Sequence, residues 1–389
     1  MDDVVPKGLR VMFFCNKISG LWLQLPTASS KRLAVFCFEI SIAAMLVCDV
    51  IFNIVHLFSA KNFVLFILST SGILGMTHTT FSSIMLIINR RNINNIIKEA
   101  QHLIKLPTFR YHRSIILRRV STKSIAYLML PILGFVVAQI NTIYFTSYNV
   151  LNPTTNVTSA EEQFIKDAME SSADSEMNSI IKILLFMNFL IQSLASFKLI
   201  AMDMLLLTLI YFVSEVLKVL RATLHDAMIV GPVLSFKKVD LNTWLYCQRR
   251  LSGFISRINV LWAPMIVVTI LCNTLTICFL SYSIVKVYEI KIFMWIVFGF
   301  TMMTMLEVFI YCEAGHQLRT QGDAITATAC QGPWLNMKPS LVPGIHLVAL
   351  DCSRCFVLRG GPFFTLSLEF FASLVGAVFT YLVVLLQMK

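Results

Sequence analysis

Residues 360–389 read GGPFFTLSLEFFASLVGAVFTYLVVLLQMK, an apolar run that ends at Lys389 with no tail behind it. About 20 mostly apolar residues span the hydrocarbon of a bilayer as a helix, and this run has them. Working outward, the chain holds seven runs of that kind: Leu33–Phe58, Phe63–Ile88, Ser124–Tyr148, Ile180–Val213, Ile258–Val285, Ile292–Cys312 and Phe363–Met388. An eighth, Leu341–Leu358, is short and carries His346, Asp351 and Arg354, so a buried or interfacial helix is expected there. The runs are continuous rather than alternating, which favours helices over strands. A helix also satisfies its own backbone in lipid. The expected fold is an all-α membrane protein with seven transmembrane helices.

Composition agrees. Apolar residues make up 57% of the 389 and charged residues only 14%, with a mean hydropathy of +0.75. That is too little charge to cover a soluble protein of this size. The net charge of +11 reflects orientation and calls for no nucleic-acid partner. Of the 32 Lys and Arg residues, 25 lie in the N-terminal segment or in the segments after the second, fourth and sixth runs. The loop Asn149–Ser179 on the other side has six acids against Lys166 alone. Basic residues mark the inner side, so the N-terminus is expected in the cytoplasm and the C-terminus outside the cell. The start, MDDVVPKGLR, lacks the apolar core of a signal peptide. The sequon at Asn156 falls in the acidic outer loop, making Asn156 a candidate for glycosylation. None of the ten cysteines lies in an outer loop, so no outer disulfide framework is expected.

The expected organisation is a cytoplasmic segment 1–32, helices one to four over 33–213, and an inner helical part over 214–257. Helices five and six follow over 258–312, then an inner part 313–361 containing the 341–358 helix, and a last helix over 362–389. The fourth run is about ten residues longer than a bilayer needs. It continues past Val213 with Val216, Leu220 and Leu224 on a helical stripe. A second inner helix over Trp244–Arg257 feeds the fifth span, where Pro264 is expected to perturb it. Together with Leu341–Leu358 these form a packed cytoplasmic platform.

In the last run Ser373, Gly376, Thr380, Val384 and Gln387 recur every three or four residues and share one face. Small faces on membrane helices serve close helix packing. They also suit the wall of a pore, and Gln387 favours the second reading, because a primary amide is costly in lipid and cheap against water. Rings of Val384 or Met388 close such a pore by dewetting. Helix C-termini at the outer mouth favour cations. Of the ionisable residues inside the runs, Glu39, Asp203, Glu307 and Glu369 are expected to pair with inner basic residues, while Asp49 and Lys198 lie deeper. A ligand pocket between helices is expected in the outer halves of the second to sixth spans. Its candidates are His78, Gln139, Tyr144, Asn188, Gln192, Asn273, Thr276, Tyr282 and Trp295, with Ser71 and Asn141 nearby. Cys352 and Cys355 have half the spacing of a zinc site with no second pair. No catalytic, cofactor or metal site is expected: phosphate-binding glycine loops and nucleophile motifs are lacking.

The string Thr380-Tyr381, then Leu382–Leu386, then Gln387 resembles the signature that ends insect gustatory receptors. The preceding GGPFFTLSLEFFASLVGAVF is similar to the same helix in the odorant receptor co-receptor of that superfamily, and YCEAGHQLRTQGDAI to an inner loop of odorant receptors. Met388 stands where the signature has Phe. The segment Ser214–Arg257 is shorter than the co-receptor's long insertion, which points to a ligand-tuned receptor. The resemblance implies a homotetrameric, ligand-gated, non-selective cation channel in the plasma membrane of a sensory neuron. Its last helix lines the pore, with Thr380, Tyr381, Val384, Gln387 and Met388 at or near the constriction. Na+, K+ and Ca2+ are then the permeating ions, and heteromers with related receptors are a further option. A tastant is the expected ligand, with an odorant receptor, alone or with a co-receptor, as the alternative. A G-protein-coupled receptor requires the opposite orientation and an inner basic tail. A transporter requires internal repeats that the chain lacks.

Overall fold

A computed structural model describes residues 63–127, 177–228, 241–286, 291–332 and 342–387, together with a few positions between 35 and 54. Its helices in chain order are α1 (Phe63–Leu103), α2 (Pro107–Arg110), α3 (Met177–Met228), α4 (Leu241–Lys286), α5 (Lys291–Cys330), α6 (Val342–Cys355) and α7 (Leu368–Gln387). A further helical stretch covers 113–127. Among the described residues, four helices are long and apolar enough to cross a membrane, over Thr70–Leu103, Lys198–Leu224, Leu241–Ile284 and Val297–Cys330. Most of the first and third apolar runs lies outside the described residues.

The centre of the bundle is α3. Nearly every residue from Ile200 to Leu217 is buried, on all faces of the helix rather than along one stripe. A helix apolar all round fits only where neighbours surround it. Here α1, α4 and α5 do so, with α1 packed along α4 and α5 along α3. Val216, Leu220 and Leu224 are fully buried, as their stripe requires. They meet a core around Trp244, Phe254, Leu318, Cys352 and Phe356. The Trp244 indole donates to the Leu220 carbonyl at 2.8 Å, tying α4 to α3. Burial and the contact with Thr108 Oγ1 at 3.3 Å mark Cys247 as a packing residue, with burial pushing its thiol up.

Three sequence expectations need correction. Pro264, expected to perturb the helix that enters the fifth span, lies inside an α4 that runs unbroken from Leu241 to Lys286. The chain accepts the loss of one backbone hydrogen bond at Val260 because packing holds both flanks. Likewise α5 does not stop at Cys312 but continues to Cys330, so the segment read as an inner loop is helical. Third, the last helix does not begin near Phe363. A two-strand ribbon precedes it, β1 (Arg359–Gly360) against β2 (Phe364–Thr365), antiparallel with Arg359 opposite Thr365. Gly361 turns it at φ 59, a conformation that suits glycine. Ser367 Oγ then accepts from Phe370 N at 3.2 Å, capping α7.

Two glycines set how closely α5 approaches this region. A Cβ on Gly315 would lie 2.5 Å from the Leu366 carbonyl, and one on Gly322 would lie 2.7 Å from that of Cys352. Gly315→Leu is expected to cost about 1–3 kcal/mol through overpacking. The check is the thermal unfolding midpoint of the purified protein in detergent, which should fall; an unchanged midpoint would show that the contact is looser than it looks.

Candidate functional site

Of the described side chains on α7, only Leu374 and Val378 are buried. Aromatic contacts add to that edge: Phe371 meets Phe309 of α5 edge-on at 5.4 Å, and Phe370 stacks on Phe364 of the ribbon at 4.6 Å. The side away from them is exposed, with Ser373, Gly376, Thr380, Val384 and Gln387 on it, while Tyr381 is exposed but lies seven residues after Leu374, on the Leu374 side. Ser373 and Thr380 return their hydroxyls to the carbonyls of Glu369 and Gly376, both at 2.9 Å. These hydroxyls are satisfied within the helix, which keeps the face smooth and its polar groups cheap to expose to either lipid or water. A Cβ at Gly376 would meet nothing within 4 Å. Met388 lies outside the described residues.

What fixes the start of α7 is a clamp on the ribbon. Asn259 of α4 donates its Nδ2 to the Val357 carbonyl at 2.8 Å and accepts Arg359 N on its Oδ1 at 3.1 Å. Leu366 N closes back on the Leu358 carbonyl at 2.9 Å. Gly315 abuts Leu366 from α5. Displacement of α4 or α5 is therefore passed to the root of α7.

Higher in the bundle, a layer of polar groups sits among apolar side chains. His78 of α1 and Thr269 of α4 share a hydrogen bond of 2.7 Å, both buried. Tyr311 of α5 donates to Asp203 Oδ1 of α3 at 2.5 Å. Asn273 of α4 lies against Glu307 of α5, and Asp203 is Glu307's acidic neighbour. Asp203 thus has a tyrosine where an inner basic partner was expected. Glu39 does pair with a basic residue, Arg90. Glu369 is exposed near His316 and Arg319, and Lys198 is buried near Glu39. Asp49 lies outside the described residues.

Among the pocket candidates, His78, Asn273 and Thr276 are buried and Tyr282 is half-buried. Trp295 is 64% exposed on α5, edge-on to Phe298 at 6.0 Å. Asn188 and Gln192 are on α3, with their side chains outside the described set. Gln139, Tyr144 and Asn156 lie outside it altogether. The structure thus brings His78, Asn273 and Thr276 into the bundle interior and leaves Trp295 outside it.

Below this layer a second network joins three helical segments. Glu313 Oε2 accepts the hydroxyls of Tyr127 and Tyr211, each at 3.2 Å, and Gln317 donates to its other oxygen. The two tyrosines stack at 5.0 Å. Beside them Glu215 is met by Lys218 at 2.7 Å, Lys123 at 3.3 Å and Arg119 at 3.6 Å. Burial pulls the Glu215 carboxyl upward, but the lysine ammonium groups outweigh it and hold it below the usual carboxylate range. Asn259, the Tyr311–Asp203 pair and the Glu313 cluster escaped sequence reading, because each joins residues about 100 or more apart in the chain.

The profile of the 7tm Odorant receptor family matches residues 62–379. The odorant receptor coreceptor of Anopheles gambiae is 26% identical over 146 residues, which is 38% of this chain and 30% of that protein. Odorant receptor 10 of Aedes albopictus is 24% identical over 151 residues, 38% of this chain and 40% of that one. The matched part thus spans less than half the length of these relatives. In fold, the chain is similar to the insect olfactory receptor OR5 of Machilis hrabei in complex with eugenol. That likeness has a TM-score of 0.75 at 16% identity and covers 98% of both chains.

Two outcomes are expected from the contacts above. Asn259→Ala orphans a carbonyl and an amide of the ribbon, at about 1–3 kcal/mol for each that stays buried. Its melting midpoint should fall, and a full-strength clamp in that variant would place the hold elsewhere. For Glu215 the folded carboxyl sits below its ordinary value of 4.5, so its contribution to stability is present above 4.5 and is lost as pH falls through the lowered value. Glu215→Gln should melt earlier than the parent at pH 7, and that gap should close on acidification below 4.5; a gap independent of pH would rule out the ionic origin.

Proposed function

The chain belongs to the 7tm odorant receptor family, and we propose that it is a chemosensory receptor which is itself a ligand-gated, non-selective cation channel. Members of this family are multi-pass membrane receptors rather than enzymes. The observation that carries the channel reading is the exposed face of α7. A helix held by one edge, with small and polar residues along the other, is incomplete alone. Four copies around an axis would cover that face and surround water with it. Thr380, Tyr381, Val384, Gln387 and Met388 then line or border the conduction path. The fall from Val384 to Gln387 places an apolar ring next to a polar one, the arrangement that gates by dewetting. Na+, K+ and Ca2+ are the ions proposed to pass.

Orientation follows the charge count: N-terminus in the cytoplasm, C-terminus outside, in the plasma membrane of a sensory cell. The ligand is a small organic molecule held between helices in the outer half of the bundle, and the clamp at Asn259 and Gly315 links that region to α7. The match to odorant receptors supports a volatile as well as a tastant, and association with a related subunit fits the same architecture.

The test uses the full chain expressed in cells under voltage clamp. Gln387→Ala should shift reversal potential or block by divalent ions while surface amount stays constant; unchanged permeation would remove Gln387 from the pore. Val384→Ala shrinks the apolar ring and should raise current at rest several-fold. A closed state as tight as the parent's would take the gate elsewhere.

A further inference from the structure

Three of the apolar runs have a limit at one place in the fold. The third begins at Ser124, the fourth stops at Val213 and the sixth stops at Cys312. Residues beside those limits meet. Lys123 Nζ lies 3.3 Å from Glu215 Oε1 and 3.2 Å from Gln317 Oε1, while Tyr127 and Tyr211 share Glu313. Three separate segments thus set this cluster at the level of a membrane boundary. Its charges do not balance. Glu215, 2% exposed, has three cations with a nitrogen within 3.6 Å of one of its oxygens: Arg119, Lys123 and Lys218. Glu313 is the other acid of the network. Arg118, next to Arg119, and Arg221, a turn beyond Lys218, add two further cations, both exposed. The Arg119 side chain is 61% exposed and that of Lys218 37%, so surplus positive charge faces outward over a buried carboxylate.

We propose that Arg119, Lys123 and Lys218, with Arg118 and Arg221 beside them, bind the phosphorylated headgroup of an inner-leaflet inositol lipid. Basic pockets between helices on the cytoplasmic side suit such headgroups. The level of the cluster favours a lipid over a soluble anion, because a headgroup is concentrated at that depth. Charge favours phosphate monoesters, each carrying about −1.5 to −2 at neutral pH. A choline headgroup brings a cation of its own and gains nothing here. The Arg119 guanidinium takes phosphate oxygens by two parallel bonds and the Lys218 ammonium adds a point charge. Lys123 stays between Glu215 and the Tyr211 ring, 5.4 Å from its centroid. Glu215 is the fixed base that holds three mutually repelling cations together. The inner side follows from the orientation proposed above, on which this assignment rests, and the lipid becomes a further partner of the receptor.

The experiment follows the melting midpoint of the purified full chain in detergent against three probes. They are dioctanoyl phosphatidylinositol 4,5-bisphosphate, dioctanoyl phosphatidylcholine and free inositol 1,4,5-trisphosphate. A ligand that binds only the folded state raises the midpoint with its concentration. The bisphosphate lipid should do so and the choline lipid should not. The free trisphosphate should need at least about 10-fold more, because it has no acyl chains to bury. This comparison needs no variant to fold. Arg119→Gln with Lys218→Gln leaves Lys123 on Glu215 and should weaken the lipid about 25-fold, at about fivefold per cation removed. Arg249→Gln with Arg250→Gln removes as much charge from the exposed side of α4, outside the cluster, and should leave the lipid's effect in place. Equal losses in the two variants overturn the site, since attraction is then spread over the whole basic surface. A trisphosphate as potent as the lipid also overturns it, in favour of a soluble anion. Equal shifts from both lipids, or none from either, overturn it as well. Binding in detergent does not depend on orientation, so those results leave the proposed orientation standing.

Discussion

One carboxamide ties the ribbon that leads into α7 to the body of the bundle. Asn259 uses both ends of its side chain on the backbone of a short ribbon, accepting from Arg359 and donating to Val357. Without that grip the residues before α7 have two strands of two residues each to organise them, too little for independent stability. Gly315 reinforces the grip from the other side by admitting Leu366 to a distance that any side chain would forbid. The last helix is thus rooted in α4 and α5 and otherwise attached by a single edge.

The polar layer above the clamp has a different physical character. In an apolar interior each polar group must find a partner or carry a cost. His78 finds Thr269, and Asp203 finds Tyr311. Asn273 of α4 lies against Glu307 of α5.

Much of the helical architecture was legible because hydropathy over 20 residues is a strong, local signal. Val216, Leu220 and Leu224 announced the continuation of α3 through their spacing alone. The continuation of α5 past Cys312 was hidden by Glu313, His316, Gln317 and Arg319, whose polarity reads as a loop although all of them suit a helix. Their partners, Tyr127, Tyr211 and Lys123, are brought there by the fold. The ribbon was equally hidden, since strands of two residues have no periodicity and only Gly360-Gly361-Pro362 hinted at a turn. On α7 the spacing of Ser373, Gly376, Thr380, Val384 and Gln387 did foretell a shared face, and all five are exposed together. The pocket was the least legible part, because which polar residue turns inward depends on helix rotation.

The uninterrupted course of α4 makes it a mechanical link. Asn273 and Asn259 are 14 residues apart, about 21 Å and nearly four full turns, so they project from almost the same azimuth. Between them Pro264 removes one rung of the backbone ladder, yet α4 stays helical through it, so the two asparagines sit on one continuous rod.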